Sequence, residues 1–442
     1  MDGEDGIDVE DVSGDPVTSP SPPADHVATA PVLASSTFAA MAVPAYRKLW
    51  FSGLFVFMAV NAQAIARGWL ARELTGTNAG LGGVLLAFGI AMLISTPFGG
   101  VAADRLPKRT VLVVSQLLLV ASSMWIGVAL VLDVVEYWML MGASALQAVA
   151  FALFGPARMS YTAEIVDGRI LSNAIVLAQM GAEGMRVIGP TIAGIVIAAF
   201  TWGLEGVFIA SGALCLFGTV LTVFLPPAPP HPERIHGSPW GELADGLRYV
   251  RRRPDLALLV TSSLVIVMIG YPFMAFLPTV ADGIFDTGST GYGVLSAASA
   301  VGAIAFGLFA ARSGGRRDPW RFVTVAGIGF GVGLITLGLM PLFWLAVVAL
   351  MFTGGMSLTY QTMTNSLLLN LSDFDYHGRI QSLVMLGFSG FGIAALPLGA
   401  LADAIGLRTT FVIMGAVVLV VMVVFVLRRR RFSDREVVLG LG

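Results

Sequence analysis

Residues 100–109 read G-V-A-A-D-R-L-P-K-R, from Gly100 to Arg109, between two long apolar runs near 79–103 and 110–132. Asp104 is followed within five residues by Arg105, Lys108 and Arg109, which makes a short charged turn. Pro107 fixes the backbone φ and stiffens that turn. A membrane helix needs about 20 apolar residues, and the runs on both sides reach that length. The turn therefore reads as a polar loop joining two membrane spans.

The rest of the chain repeats the pattern. Of its 442 residues, 56% are hydrophobic and only 12% charged, against about 25% charged in a soluble domain. Twelve apolar runs are expected to span, near 48–70, 79–103, 110–132, 137–156, 172–200, 206–226, 256–279, 292–311, 322–339, 341–366, 380–402 and 408–427. Backbone facing lipid must satisfy its own hydrogen bonds, and no run alternates as a barrel strand would, so the spans are helices. The fold class expected is an all-α membrane protein. Its single cysteine, Cys215, lies inside the sixth run, so no internal disulfide is possible and it reads as a small core residue.

Charge sets an orientation. With the N-terminus in the cytoplasm, all 26 lysines and arginines fall on the cytoplasmic side except Arg67, Arg72, Arg408 and the intramembrane Arg186. The positive-inside rule then places both termini inside a cell membrane. Clusters such as Arg251–Arg253 and Arg428–Arg431 abut membrane runs, which reads as anchoring and not as nucleic-acid binding. Residues 1–45 begin with an acidic stretch and continue rich in Ser, Pro and Ala, a composition expected to stay disordered.

Residues 227–254 divide the runs six and six. They open with a Pro-rich linker, after which Trp240, Leu243, Leu247 and Val250 recur at helical spacing, as in an amphipathic surface helix. The expected division is an N-terminal bundle over 46–226, this linker, a C-terminal bundle over 255–430 and a tail over 431–442. The two halves repeat one another. Gly181 and Gly184 match Gly387 and Gly390, while Gly203, Phe208 and Gly212 match Gly406, Phe411 and Gly415. Parallel repeats of this kind are related by an axis along the membrane normal. A worn copy of the charged turn, with Arg312, Gly314, Arg316 and Arg317 but no Asp, follows the eighth run.

Chemistry at membrane depth centres on the fifth run. Glu183 and Arg186 lie about 17 and 21 Å along it at 1.5 Å per residue. A charge at that depth costs at least about 2.5–3.5 kcal/mol and marks function by default. Three residues apart, the two share a face and partly neutralise each other. Either they serve as a cavity-facing pair, with Glu183 titrating and Arg186 holding an anionic group, or they form a salt bridge that fixes packing. Glu183 is the one carboxylate placed clearly at mid-membrane, which makes it the proton-coupling candidate. Gly189 and Pro190 invite a kink in this run, and Gly194 permits close helix approach.

With Gly100, Asp104, Arg105, Lys108 and Arg109 in place, the turn resembles the loop after the second helix of the major facilitator superfamily, G-x-x-x-D-[RK]-x-G-[RK]-[RK]. Pro107 stands where that family usually has Gly. The resemblance covers about residues 46–430. It is more specific in P-A-R-M-S-Y-T-A-E-I-V, R-V-I-G-P-T-I-A-G and H-G-R-I-Q-S-L, which are similar to bacterial exporters of the enterobactin and macrolide type. It implies two six-helix bundles that rock about a central site, with the five turn residues as a conformational latch. It also implies that Asn61, Gln63, Gln147, Tyr271, Tyr360, Gln361 and Asn365 join Glu183 and Arg186 in lining a cavity. Asn61 stands in a region where many relatives carry an acid.

Enzyme readings find little support. His26, His231, His236 and His377 lie in tails or loops, no metal-spaced cluster exists, and no phosphate-cradling G-x-x-x-x-G-K-[ST] occurs. No cofactor and no catalytic residue are expected, and the partners are membrane lipids, a small-molecule substrate and protons, acting on a monomer. The function expected is proton-coupled efflux of an amphipathic, drug-like or siderophore-like molecule. An importer or lipid flippase on the same fold, or a non-transporting sensor or scaffold, are the alternatives.

Overall fold

A computed structural model describes residues 38–168, 170–199, 203–227, 239–313, 319–373 and 376–438. The side chains of some helical residues also lie outside the described set, including those of Asp104, Glu183, Pro190 and Gly194. The acidic tail over 1–37 and residues 314–318 of the worn turn fall outside it as well.

The described chain is helical throughout. Six long helices come first: α1 (Pro44–Thr75), α2 (Asn78–Arg105), α3 (Lys108–Val131), α4 (Tyr137–Ile165), α5 (Leu171–Ala199) and α6 (Gly203–Val223). A linker helix, α7 (Pro239–Arg252), precedes α8 (Pro254–Ile269), α9 (Gly288–Ser313), α10 (Pro319–Leu339), α11 (Phe343–Leu371), α12 (His377–Ile405) and α13 (Leu407–Val438). Eleven spans among the described residues are long and apolar enough to cross a membrane. The twelfth expected span is α5, an α-helix of 29 residues running unbroken through Gly189 and Pro190. Short loops alternate the direction of the spans. Both ends of the chain's helical body therefore lie on one face, here the near face, opposite the far face.

Local chemistry sets the helix ends. Pro44 opens α1, where its missing N–H costs nothing. Gly76 closes it in the left-handed region at φ 67°, its N–H bonded to the Arg72 carbonyl. Thr77 caps α2 by accepting the Gly80 N–H at 3.0 Å.

The seventh span departs from expectation. A continuous helix over 256–279 was expected, but α8 stops at Ile269. The chain continues as a 3-10 stretch (Tyr271–Phe276), one α turn (Leu277–Thr279) and a π turn (Val280–Ile284). Pro272 and Pro278 remove two backbone donors there. The break is packed, with Tyr271 and Phe273 meeting Phe330 at ring distances of 5.4 and 5.9 Å.

The repeat expected from the sequence is visible in space. Gly203, the first residue of α6, and Gly406, just before α13, both take positive φ. Phe208 and Phe411, their counterparts one turn on, are both buried. Gly212 lets α6 close on Met124 of α3, and Gly415 lets α13 close on Gly331 of α10. Lipid is as apolar as leucine, so such contacts rest on close packing and polar bonds more than on the hydrophobic effect. One polar tie joins α1, α3 and α6. Ser52 donates to the Gly218 carbonyl at 2.9 Å and accepts from Gln116 at 3.0 Å, while Thr222 donates to Gln116 at 3.1 Å.

Candidate functional site

Polar side chains inside lipid must find partners, and those partners show where the structure spends each candidate. Gln63 is fully buried and donates to Ser123 Oγ at 2.6 Å. Its Oε1 accepts from Arg67 at 2.7 Å, and the second Arg67 donor goes to Gln147 Oε1. Gln63 and Gln147 are therefore engaged inside the N-terminal bundle. Arg67, expected only to lie off the cytoplasmic side, is 7% exposed and lies about 12 Å inside the far-face end of α1 at 1.5 Å per residue. Its charge is met by neutral amide oxygens, and its Nε has no partner among the described residues.

In the C-terminal half, Tyr271 is buried and donates to the Ser357 carbonyl at 2.8 Å. Tyr360 is also buried. The Asn365 Oδ1 is buried without a hydrogen-bond partner among the described residues. Asn61 donates to the Phe57 carbonyl one turn back at 2.7 Å. Beside it α5 packs closely on the α1 backbone, because a Cβ on Gly189 would stand 2.7 Å from the Met58 carbonyl oxygen.

One pair of expected cavity residues meets across the two halves. Arg186 on α5 donates to Gln361 Oε1 on α11 at 3.1 Å. Glu183, one turn earlier on α5, has its side chain outside the described residues.

The far face is sealed by cross-half contacts. Asp403 Oδ1 on α12 accepts from the backbone and side-chain nitrogens of Asn78 at 2.9 and 2.8 Å, and Oδ2 accepts the Ala79 N–H at 2.8 Å. Trp69 stacks on Tyr292 at 6.0 Å, whose hydroxyl donates to the Ile65 carbonyl at 3.3 Å. Arg72 lies 3.9 Å from Asp282. Below this seam α2 and α12 run in close contact, since a Cβ on Gly82, Gly89, Gly392 or Gly399 would overlap the partner backbone.

Two cations of the charged turn bond within their own half. Lys108, buried at the start of α3, pairs with Glu164 at the end of α4, and Arg109 donates to the Leu225 carbonyl beyond α6 at 2.9 Å. Arg105 is exposed. The Asp104 side chain and the surroundings of Gly100 lie outside the described residues.

The linker helix α7 docks on the C-terminal half as well as offering Leu247 outward. Tyr249 stacks on Tyr376 at 3.9 Å, donates to Asp373 at 3.0 Å and accepts from Arg253 at 2.9 Å. That last bond raises the Arg253 pKa above its ordinary value. Val250 is buried.

Sequence reasoning passed over Arg67, Arg158, Trp69, Tyr292 and Asp403. Two of them had a signal. Arg67 follows Gln63 by one helical turn, and G-A-L-A-D at Gly399–Asp403 repeats the spacing of G-V-A-A-D at Gly100–Asp104.

The comparisons with known proteins agree with this architecture. A family model described as transmembrane secretion effector matches residues 35–438. The enterobactin exporter EntS of Shigella flexneri is 25% identical over 416 residues, covering 89% of this chain and 95% of that one. The multidrug efflux pump Tap of Mycolicibacterium fortuitum is 24% identical over 394 residues, covering 84% and 94%. Among solved structures, a peptide transporter superposes with a TM-score of 0.68 at 14% identity, covering 87% and 94%. A bacterial homologue of the lysosomal transporter Spinster, in an inward-facing and unoccupied conformation, superposes with a TM-score of 0.66 at 14% identity, covering 86% and 95%.

Proposed function

The chain belongs to the transmembrane secretion effector family of the major facilitator superfamily, and on that premise we propose that it exports an amphipathic small molecule in exchange for protons. The observation that carries this reading is the Arg186–Gln361 bond. It joins the two halves at mid-depth beneath a sealed far face, where alternating access requires a site shared by both halves. The conformation described is closed at the far face, the state from which a substrate on the near face would load.

In this mechanism a polar or anionic substrate group takes Arg186 from Gln361. Glu183, losing its cation, accepts a proton, and the halves rock once the site is neutral enough to close. Asp104, Lys108 and Arg109 hold the near-face loop through the cycle. The termini lie in the cytoplasm and the chain works in the cell membrane as a monomer. Export follows the relatives' direction.

Counterflow of labelled candidate substrates into proteoliposomes, with and without a pH gradient, tests this reading. Saturable counterflow that a gradient accelerates is the expected result. Absence of flux for every candidate, with the protein intact and correctly inserted, overturns it.

A further inference from the structure

Arg158 takes no part in the mechanism above, yet its surroundings are specific. It lies on α4 about 10 Å before the helix ends at Ile165, taking 1.5 Å per residue, and it is partly exposed. The fourth run was expected to stop at 156, which would have left Arg158 among the flanking cations. Instead α4 continues, and the guanidinium turns onto α1. There it occupies the space that Gly53 leaves open, since a Cβ on Gly53 would stand 2.8 Å from Nη2 and 2.9 Å from Cζ. The guanidinium carbon lies 5.3 Å from the centre of the Phe57 ring and 6.0 Å from that of Phe154. Phe151 completes a triangle, 6.1 Å from Phe57 and 6.5 Å from Phe154.

Rings attract a cation through their faces, but they accept none of its in-plane N–H donors. Of the polar groups on the same side of the bundle, Tyr46 spends its proton on the Ala174 carbonyl at 2.6 Å, and Glu164, later on α4, holds Lys108. Among the described residues the Arg158 guanidinium makes no ion pair and donates no hydrogen bond. An arginine inside a membrane protein without a counter-charge is costly, and its planar fork is suited to a bidentate acid. Phe57 beside it, and Phe151 packed against Phe57, are partly exposed, so an aromatic ring attached to that acid has rings to pack on.

We propose that Arg158, Phe57 and Phe151 form an anion-and-ring subsite, and that the transported molecule is an amphipathic aromatic acid: a carboxylate, sulfonate or ionised phenol carried on a planar ring. The proposal rests on the transporter reading and deepens it by naming the substrate class. Gly53 is part of the subsite because only hydrogen at that position leaves the guanidinium in place.

Equilibrium binding tests the subsite without requiring transport, so its failure and a failure of transport are told apart. The full chain in phosphatidylcholine nanodiscs is titrated with 2-naphthoate and with 2-naphthamide, which share a ring and differ in charge. The acid is expected to bind more tightly than the amide by roughly tenfold or more, the scale of one charge-assisted hydrogen bond. Arg158→Gln should bring the acid down to the level of the amide and leave amide binding unchanged. Gly53→Ala, which keeps the cation but displaces it, should lower acid binding in the same direction, and Arg158→Lys should retain part of the preference. Thermal melting reports whether each variant folds, and Gly53→Ala and Arg158→Lys decide the matter if Arg158→Gln does not. Equal affinity for the two probes in the unaltered protein overturns the proposal, as does an intact preference in folded Arg158→Gln.

Discussion

Asp403 and Asn78 join the two halves across the far face: one carboxylate oxygen of Asp403 accepts both the backbone and the side-chain nitrogen of Asn78, at 2.9 and 2.8 Å. Asp403 lies near the C-terminal end of α12, where its own helix dipole opposes a negative charge. The first residues of α2 supply what its own helix withholds, because free N–H groups there favour an anion. The bond is thus one that α12 makes only when the far face is closed against α2.

Asp403→Asn should therefore favour opening of the far face. A carboxylate at a helix N-terminus contributes about 0.3–1 kcal/mol, and up to ~2 when partly buried, which corresponds to a roughly two- to thirtyfold change in the closed-to-open ratio. Distance distributions between spin labels at the exposed residues Leu74 and Leu342 measure it. An unchanged distribution in the variant would remove Asp403 from the account of closure.

The buried Arg67 depends on its amide partners. Gln147→Leu should lower stability by about 1.5–3 kcal/mol, the worth of a hydrogen bond to a charged group, because the guanidinium then loses an acceptor. Adding Arg67→Met to that variant should restore much of the loss, since the stranded charge is gone. Thermal unfolding in a single detergent reads both changes. Equal stability of Gln147→Leu and the unaltered protein would show that the network is not needed.

Glu183→Gln should abolish acceleration by a pH gradient and preserve counterflow, which needs no net proton movement. A neutral amide at that position no longer exchanges a proton as Arg186 leaves Gln361. Full response of the variant to the gradient would place the proton elsewhere.

Topology is open to chemical labelling because the one native thiol, Cys215, is buried and gives little background. Cysteines replacing Pro107, on the near-face loop, and Val134, on the far-face loop, both stand at exposed positions. The first should react with an impermeant maleimide only from the cytoplasmic side and the second only from outside. The reverse pattern would invert the orientation.

Much of the architecture was legible in the chain. Apolar runs of membrane length can only be helices in lipid, and a polar turn such as Gly100–Arg109 can only join them, so the spans and the repeat follow from local composition. The matched Gly203 and Gly406 could be read as equivalent because their role, a positive φ at a helix junction, belongs to the residue itself. The candidate site was legible only in part. Arg186 and Gln361 are 175 positions apart, and both were recognisable as polar groups at depth, but their bond depends on how two bundles meet.

What the sequence by itself determined is the membrane class, the helical nature of the spans, and which residues are too polar to face lipid. The tertiary structure alone decided which of those polar residues serve packing and which stand free. Gln63 and Gln147 are engaged because Arg67 folds between them, and Arg158 has no acceptor among the described residues because Gly53 and the rings of Phe57 and Phe154 hold it. The reason is physical. Exclusion from lipid is a property of a side chain and can be read one residue at a time, whereas satisfaction of a buried polar group is a property of its neighbours, which only the packed helices bring together.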